Sequence, residues 1–361
     1  SDSVALSVFD VDGMPVVGQR ATWSSDNTAV ATVDGSDSGA TIMAVAEGST
    51  IVRVTVGDVT QTMNVDVFAS QFEIDVRYLG SPTASQRAAF DGAAAFWREI
   101  IVGDLSDIDA TGTNVIPSSS NCIVSQTPEV NEIIDDVIIF AEFVDIDGPG
   151  GTLGQAGPCI IRSSNALSIM GGMQFDTADL ANLEAGGGLT ATIRHEMGHV
   201  LGIGVLWDHP NFNFLVNPSD TAFGGSLGAD THFTGPLTIA AFDQAGGTAY
   251  TGAKVPVEND QDTYGSGSLD GHWREGIFDN ELMTPSLNSG SNPTSLVTVQ
   301  SLADLGYEVN TASAEGYSLP PGTLLTVEGA LRAPLRFVDD VVRVPLVVMD
   351  EDGRVVGLVN R

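Results

Sequence analysis

Residues 194–207 read RHEMGHVLGIGVLW, and no other stretch constrains the chain as tightly. His195 and His199 stand four residues apart, so on a helix their side chains lie one turn apart on one face and both rings can reach a single ion. Glu196 points partly to the side, where its carboxylate can contact a water at that ion without displacing a ligand. A helix is supported locally. Ile193, Met197, Val200 and Leu201 form an apolar stripe that can bury against a domain, leaving the two histidines to face a cleft. Gly202 and Gly204 supply the stop, because glycine accepts the left-handed backbone found at helix ends.

Neutral imidazole suits zinc, and three protein ligands leave a fourth position for water. Zinc lowers that water's pKa to about 7, and Glu196 would take its proton during attack on a carbonyl and pass it to the departing amine. A third ligand is therefore required. Of the five histidines, His209, His232 and His272 remain. His209 lies ten residues past His199, where the chain could turn back. His232 sits in a loop-like region. His272 belongs to GHWREGIFDNELMTPSL, which also carries Met283 in a turn-like setting. On the residues alone His272 ranks first and His209 second, with Glu258, Glu275 or Glu281 remaining.

The formal net charge of −33 sets the chain against nucleic acid and anionic lipid as partners. Its carboxylates are mostly scattered, which suits a solvated acidic surface in a salty extracellular setting. DIDGPGG (145–151) could still bind calcium, although it lacks the spacing of a helix-loop-helix calcium site. No stretch approaches the roughly 18–20 apolar residues of a membrane helix. The two cysteines, Cys122 and Cys159, are an even pair in a chain that otherwise avoids thiols. They predict one disulfide and an oxidising compartment, hence a secreted or cell-surface protein, and any secretory signal is expected to have been removed or left out.

Residues 1–68 read as all-β, with short Val, Thr and Ile runs split by Gly, Asp and Asn turns. The stretch TWSSDNTAVATVDG followed by AVAEGSTIVRVTV resembles the bacterial immunoglobulin-like repeats, which implies a small β-sandwich acting as a spacer or adhesive unit. The composition changes after FASQ (68–71). FEIDVRYLG then reads as a strand and SPTASQRAAFDGAAAFWREII as a helix whose buried face carries Phe90, Ala94, Trp97 and Ile101. DVIIFAEFV reads as a strand, DGPGGTLGQAGP as a glycine-rich loop, and SIMGGMQFD (168–176) as either an edge strand for an extended peptide or an internal strand. This order is α+β. Residues 208–270 are loop-like, TSLVTVQSLADLGY reads as a closing helix, and 311–361 as a β-rich extension of unknown role. Trp207 and Trp273 are read as wall and core.

HEMGHVLGIG, a long insertion, GHWRE and then NELMTP together resemble the leishmanolysin-type zinc proteases of the metzincin clan. The resemblance spans roughly residues 70–310 and implies a metzincin-like zinc protease domain. It implies His195, His199 and His272 as zinc ligands, Glu196 as the base, Gly202 as the turn after the second histidine and Met283 as the floor beneath the metal. Val205 stands six residues beyond His199, where much of the clan carries its third histidine; the insertion displaces that ligand to His272. The eukaryotic surface members are rich in cysteine and lipid-anchored; this chain has two cysteines, and lipid anchoring is not carried over as an expectation. Pro285 stands where some metzincins place a tyrosine, leaving carbonyl polarisation to zinc alone or to a group the sequence does not identify. The resemblance implies a secreted endopeptidase with protein or peptide substrates. The alternative is an adhesive or binding protein whose protease-like domain is inactive, against which stand the retained Glu196 and a full set of three histidines.

Overall fold

The computed structural model describes residues 3–9, 19–67, 71–221, 224–250, 252–320 and 335–360. Residues 10–13 and 321–334, for which the sequence predicts strand, lie outside the described residues, as do 68–70 at the expected domain boundary. The chain divides into two compact units, Ser1–Ser70 and Gln71–Arg361. An all-β unit followed by an α+β unit is the architecture the sequence predicts.

The first unit holds β1 (Ser3–Ser7), β2 (Ala21–Ser25), β3 (Ala31–Gly35), β4 (Gly39–Ala44), β5 (Gly48–Val56) and β6 (Val59–Val67). They form two antiparallel sheets of order β1-β4-β3 and β2-β5-β6. Ala31, Ile42 and Val52 are the buried centre, with Leu6, Trp23 and Val65 packed around them. Alternation along each strand supplies that face.

The second unit opens with β7 (Ile74–Leu79) and α1 (Ala84–Ile100). A capping box between Thr83 and Gln86 starts α1 by satisfying two otherwise orphaned N–H groups. Next come β8 (Ile108–Ala110), β9 (Glu132–Ile134), β10 (Val137–Val144), β11 (Gly154–Arg162) and β12 (Ser168–Asp176). Then follow α2 (Thr177–Gly186) and the motif helix α3 (Leu189–Val200). The expected glycine-rich loop is thus half strand, since GQAGP begins β11. The 208–270 region is not featureless either: it contains β13 (Leu215–Val216), β14 (His232–Phe233), α4 (Pro236–Gln244), β15 (Val255–Pro256) and α5 (Gln261–Tyr264). These elements are too short for periodicity to reveal. α6 (Glu275–Phe278), β16 (Ser286–Leu287), α7 (Leu296–Leu305), β17 (Leu335–Arg336), β18 (Leu346–Met349) and β19 (Val355–Val359) complete the chain.

The main sheet has order β19-β18-β11-β12-β10-β7. β10 runs parallel to β7 and β12, whereas β11 is antiparallel to β12. The C-terminal stretch therefore contributes two strands to this sheet, β18 parallel to β11 and β19 antiparallel to β18. β12 is internal, so the edge-strand reading of SIMGGMQFD does not hold. The position beside the site falls instead to the start of β11, because β18 pairs only with Ile160–Arg162.

Period-two alternation in β10 separates two cores. Val137, Ile139 and Ala141 join α1 and α3 on one face. Ile138 and Phe140 join Cys122 and Cys159 on the other. The disulfide Cys122–Cys159 ties the 111–131 loop to β11. Consecutive glycines in β12 serve both faces. A Cβ on Gly171 would lie 2.5 Å from Val200 Cγ1 and 2.7 Å from the Gly157 carbonyl, and one on Gly172 would lie 2.5 Å from the Cys122 carbonyl. Small residues here let α3 and the disulfide loop close onto the sheet. Gly171→Ala is expected to cost about 1–3 kcal/mol through overpacking, and Val200→Ala in the same chain to recover part of it. Urea unfolding of the two single variants and the double variant checks this coupling.

Candidate metal centre

Helix α3 is anchored along its length. Trp97 Nε1 of α1 donates to the Arg194 carbonyl at 2.9 Å. At the helix end, Ser168 Oγ donates to Val200 O at 2.5 Å and Tyr307 Oη to Leu201 O at 3.0 Å, capping carbonyls that have no intrahelical partner. Gly202 (φ 109°) and Gly204 (φ 74°) then turn the chain in left-handed conformations. At Gly204 a Cβ would sit 1.9 Å from the Gly271 carbonyl, so the turn after His199 packs directly against the residue preceding His272.

His272 is carried there by the 208–270 region. Val257 pairs with Trp273, and the Glu258 N–H donates to His272 O at 2.9 Å. The Asp270 carboxylate accepts the Ser219 and Asp220 N–H groups, pinning the segment from the other side. Trp207 and Trp273 are fully buried and stack at 4.6 Å, wall and core rather than substrate readers.

The rings of His195, His199 and His272 converge, each pair of Nε2 atoms 3.1 Å apart. All three are fully buried. Each Nδ1 lies against a backbone carbonyl: His195 on Leu282 O at 2.7 Å, His199 on Ile203 O at 2.9 Å and His272 on Ser268 O at 2.9 Å. A carbonyl only accepts, so each Nδ1 carries the hydrogen and each Nε2 turns a bare lone pair inward. Burial pushes the His195 pKa down to about 4 and lowers that of His199, which favours the neutral, ligating form. In His272 burial acts the same way, but the adjacent Asp340 carboxylate outweighs it and the net shift is upward.

Asp340 is the residue sequence reasoning did not select. Its Oδ2 lies 2.9 Å from His272 Nε2, 3.1 Å from His195 Nε2 and 3.7 Å from His199 Nε2. Four acceptor atoms with these separations outline a tetrahedron whose centre is about 1.9 Å from each corner, close to zinc–nitrogen and zinc–oxygen bond lengths. Lone pairs facing one another in a buried site repel unless a cation lies between them. The donor set and spacing fit zinc. The available signal was FVDDVV (337–342), two carboxylates inside an apolar run, a pattern that marks a buried polar group when it falls in a core.

Glu196 is fully buried beside the cluster, and neither carboxylate oxygen has a hydrogen-bond partner among the described residues. Burial, with a smaller contribution from the Asp340 charge, raises its pKa well above the usual carboxylate range. Gly154 at the start of β11 makes room for it, since a Cβ there would lie 3.2 Å from Glu196 Oε1. Met283 packs beneath α3: a Cβ on Gly198 would meet its Sδ at 3.0 Å. The Glu281 carboxylate shapes that turn by accepting from Met283 N–H at 2.6 Å and from Ser295 N–H at 2.9 Å.

The other ligand candidates lie elsewhere. His209 Nδ1 accepts from Asn211 N–H at 3.2 Å, and His232 Nδ1 donates to Asp230 O at 2.7 Å. Glu258 accepts the N–H groups of Asn259, Asp260 and Glu275. The acidic loop considered for calcium is likewise committed internally. Asp176 accepts from Ile146, Asp147 and Gly148, and Asp147 from Thr152, so nothing there supports calcium.

Three histidines and a carboxylate around one point, on an α+β scaffold with an adjacent unpartnered glutamate, define a metalloprotease-like domain. The family model described as Leishmanolysin, peptidase family M8, matches residues 107–325, more than half of the chain, and the chain belongs to that family. A second model, the bacterial Ig-like domain (group 2), matches residues 9–67. No curated protein matches the chain. Among solved structures, the S-layer protein SbsC domains 4 and 5 are similar at 25% identity, over 18% of this chain and 41% of that one. Their TM-score of 0.16 makes this a local likeness that carries no argument about the fold.

Glu275, in α6 just past His272, offers a pH test of this region. Burial raises its pKa to about 7, and its Oε2 has no hydrogen-bond partner among the described residues. The folded chain then holds this proton more tightly than the unfolded chain, so the contribution to stability falls as pH rises from about 4.5 through 7. After discounting for partial exposure, the wild-type minus Glu275→Gln difference in unfolding free energy should drop by about 2 kcal/mol between pH 5 and pH 8. Denaturant titrations at both pH values measure it.

Proposed function

We propose that this chain is a secreted zinc-dependent endopeptidase, with His195, His199 and His272 as zinc ligands and Glu196 as general base. The observation that carries the reading is the combination of three inward Nε2 lone pairs, each fixed by an Nδ1–H bond to a carbonyl, with an unpartnered buried glutamate next to the first of them. Zinc, when bound, supplies a Lewis acid that lowers the pKa of a water toward about 7 and polarises the scissile carbonyl. The protein's own residues do the rest. The carbonyls of Leu282, Ile203 and Ser268 hold the imidazoles in one tautomer and orientation. Glu196, whose carboxyl burial holds above the usual carboxylate range, accepts the proton of the attacking water and returns it to the leaving amine. Gly202 gives the turn that brings the Ile203 carbonyl back onto His199, and Met283 supports the helix from below.

An oxidising, extracellular setting is supported by the disulfide between Cys122 and Cys159 and by the family membership of both matched regions. Peptide or protein substrates follow from the protease family.

The test compares cleavage of an unfolded protein such as casein by the native chain and by Glu196→Ala, with bound zinc quantified in both. The expected outcome is a loss of about 10²–10⁴-fold in rate with zinc retained. Zinc retained with undiminished cleavage would remove Glu196 from the mechanism, and a chain that binds no zinc would end the proposal.

A further inference from the structure

The metal centre is closed. A catalytic zinc site needs an open coordination position, whereas four protein ligands mark a structural site. Here the fourth corner is taken by Asp340, which is fully buried. Yet Glu196, whose only evident use is to handle a water at that corner, stands beside it without a partner. The two observations are reconciled if Asp340 leaves the corner for turnover.

The segment around Asp340 also pairs with backbone on both sides of the site. The Ala156 N–H of β11 donates to Asp340 O at 2.9 Å, and Val342 N–H donates to Ala156 O at 3.1 Å. Those are the groups an exposed strand offers to an extended peptide lying alongside it. Val341 pairs with Ala156 in the parallel sense. On the other wall, β17 pairs with β16 and Phe337 N–H donates to Pro285 O at 3.0 Å, next to the Met283 turn. The Phe337 ring lies flat on the His195 ring, 3.8 Å between centroids and 9° between planes. Ser268 Oγ sits 2.7 Å from Asp340 Oδ1 and 2.8 Å from Phe337 O, holding the carboxylate in line.

We propose that residues 335–342 are an internal occupant of the substrate cleft, with Asp340 as a fourth metal ligand that excludes water and keeps the enzyme latent until the segment is displaced. The proposal rests on the peptidase reading above. The exchange breaks and forms only ligand bonds: a carboxylate oxygen leaves the corner and a water oxygen takes it, with no covalent bond in the chain altered. Residues of the same chain hold this corner at high effective concentration, so a free peptide competes poorly until the segment has moved.

The experiment uses the full chain loaded with Co²⁺ in place of zinc, with metal content measured, and reads the visible spectrum during titration with acetohydroxamate, alongside casein cleavage by the zinc forms. The wild type is expected to leave its spectrum unchanged at probe concentrations that shift Asp340→Ala, and the variant to cleave at least tenfold faster. Asp340→Asn, which keeps the size and the Ser268 contact, should show the same change to a smaller extent and serves if the alanine variant does not fold. A wild-type spectrum that responds as readily as the variants', or a wild type that takes up no Co²⁺, overturns the proposal without recourse to any variant. If the wild type cleaves as fast as Asp340→Ala while Glu196→Ala is dead, latency falls and the peptidase reading stands. If the probe reaches only the Asp340 variants but no form cleaves, the capped centre stands and the peptidase reading falls.

Discussion

Three imidazole lone pairs and one carboxylate oxygen, all turned toward a single buried point, are the constraint around which the second unit is organised. None of the four can donate to another once each Nδ1 hydrogen is given to a carbonyl. Without a cation or a shared proton between them, neutral nitrogens and an anionic oxygen at about 3 Å in a fully buried site would repel and lack solvation. The arrangement is therefore one that could hold a metal ion. It persists because the backbone around it is committed elsewhere: Ile203 O, Leu282 O and Ser268 O come from three different segments, each locked by its own hydrogen bonds and packing.

The scaffold supplies that locking through close approaches as much as through apolar area. Gly171 and Gly172 in β12, Gly198 in α3 and Gly204 in the turn each sit where a methyl group would strike a neighbour. The consequence is a helix seated hard on the sheet, a methionine seated hard under the helix and the His272 segment pressed against the turn beyond His199. Buried carboxylates do comparable work. Glu281 holds the Met283 turn to the start of α7, Glu258 and Asp270 fix the path into His272, and Asp136 bridges the Glu73 and Leu105 N–H groups at the far end of the sheet. These are a minority of the acidity: among the described residues nine of the chain's 47 Asp and Glu side chains are buried.

Local pattern made several parts legible. The four-residue spacing of His195 and His199, the apolar stripe through Ile193 and Met197, and the glycine stop are all properties of one helix, and the helix is where they predict it. α1 with Phe90 and Trp97, the closing helix α7 and the β-rich first unit were readable for the same reason. SIMGGMQFD was harder, because a strand's two faces are visible in sequence but its neighbours are not. Its place between β10 and β11 depends on pairing across the chain. The 208–270 region hid its elements because two-residue strands and one nine-residue helix carry too little periodicity to rise above turn-rich composition.

The sequence by itself determined the chemistry on offer: a helical histidine pair with an adjacent glutamate, a short list of third ligands, and one pair of cysteines. Only the tertiary structure decided which distant groups arrive at the same point. His272 is 73 residues from His199, and Asp340 a further 68 beyond His272. No spacing rule links groups that far apart, because their meeting depends on strand order and on the path of the intervening chain. Asp340 makes the point most sharply. In the sequence it is one of many carboxylates, and only its burial against three imidazoles sets it apart.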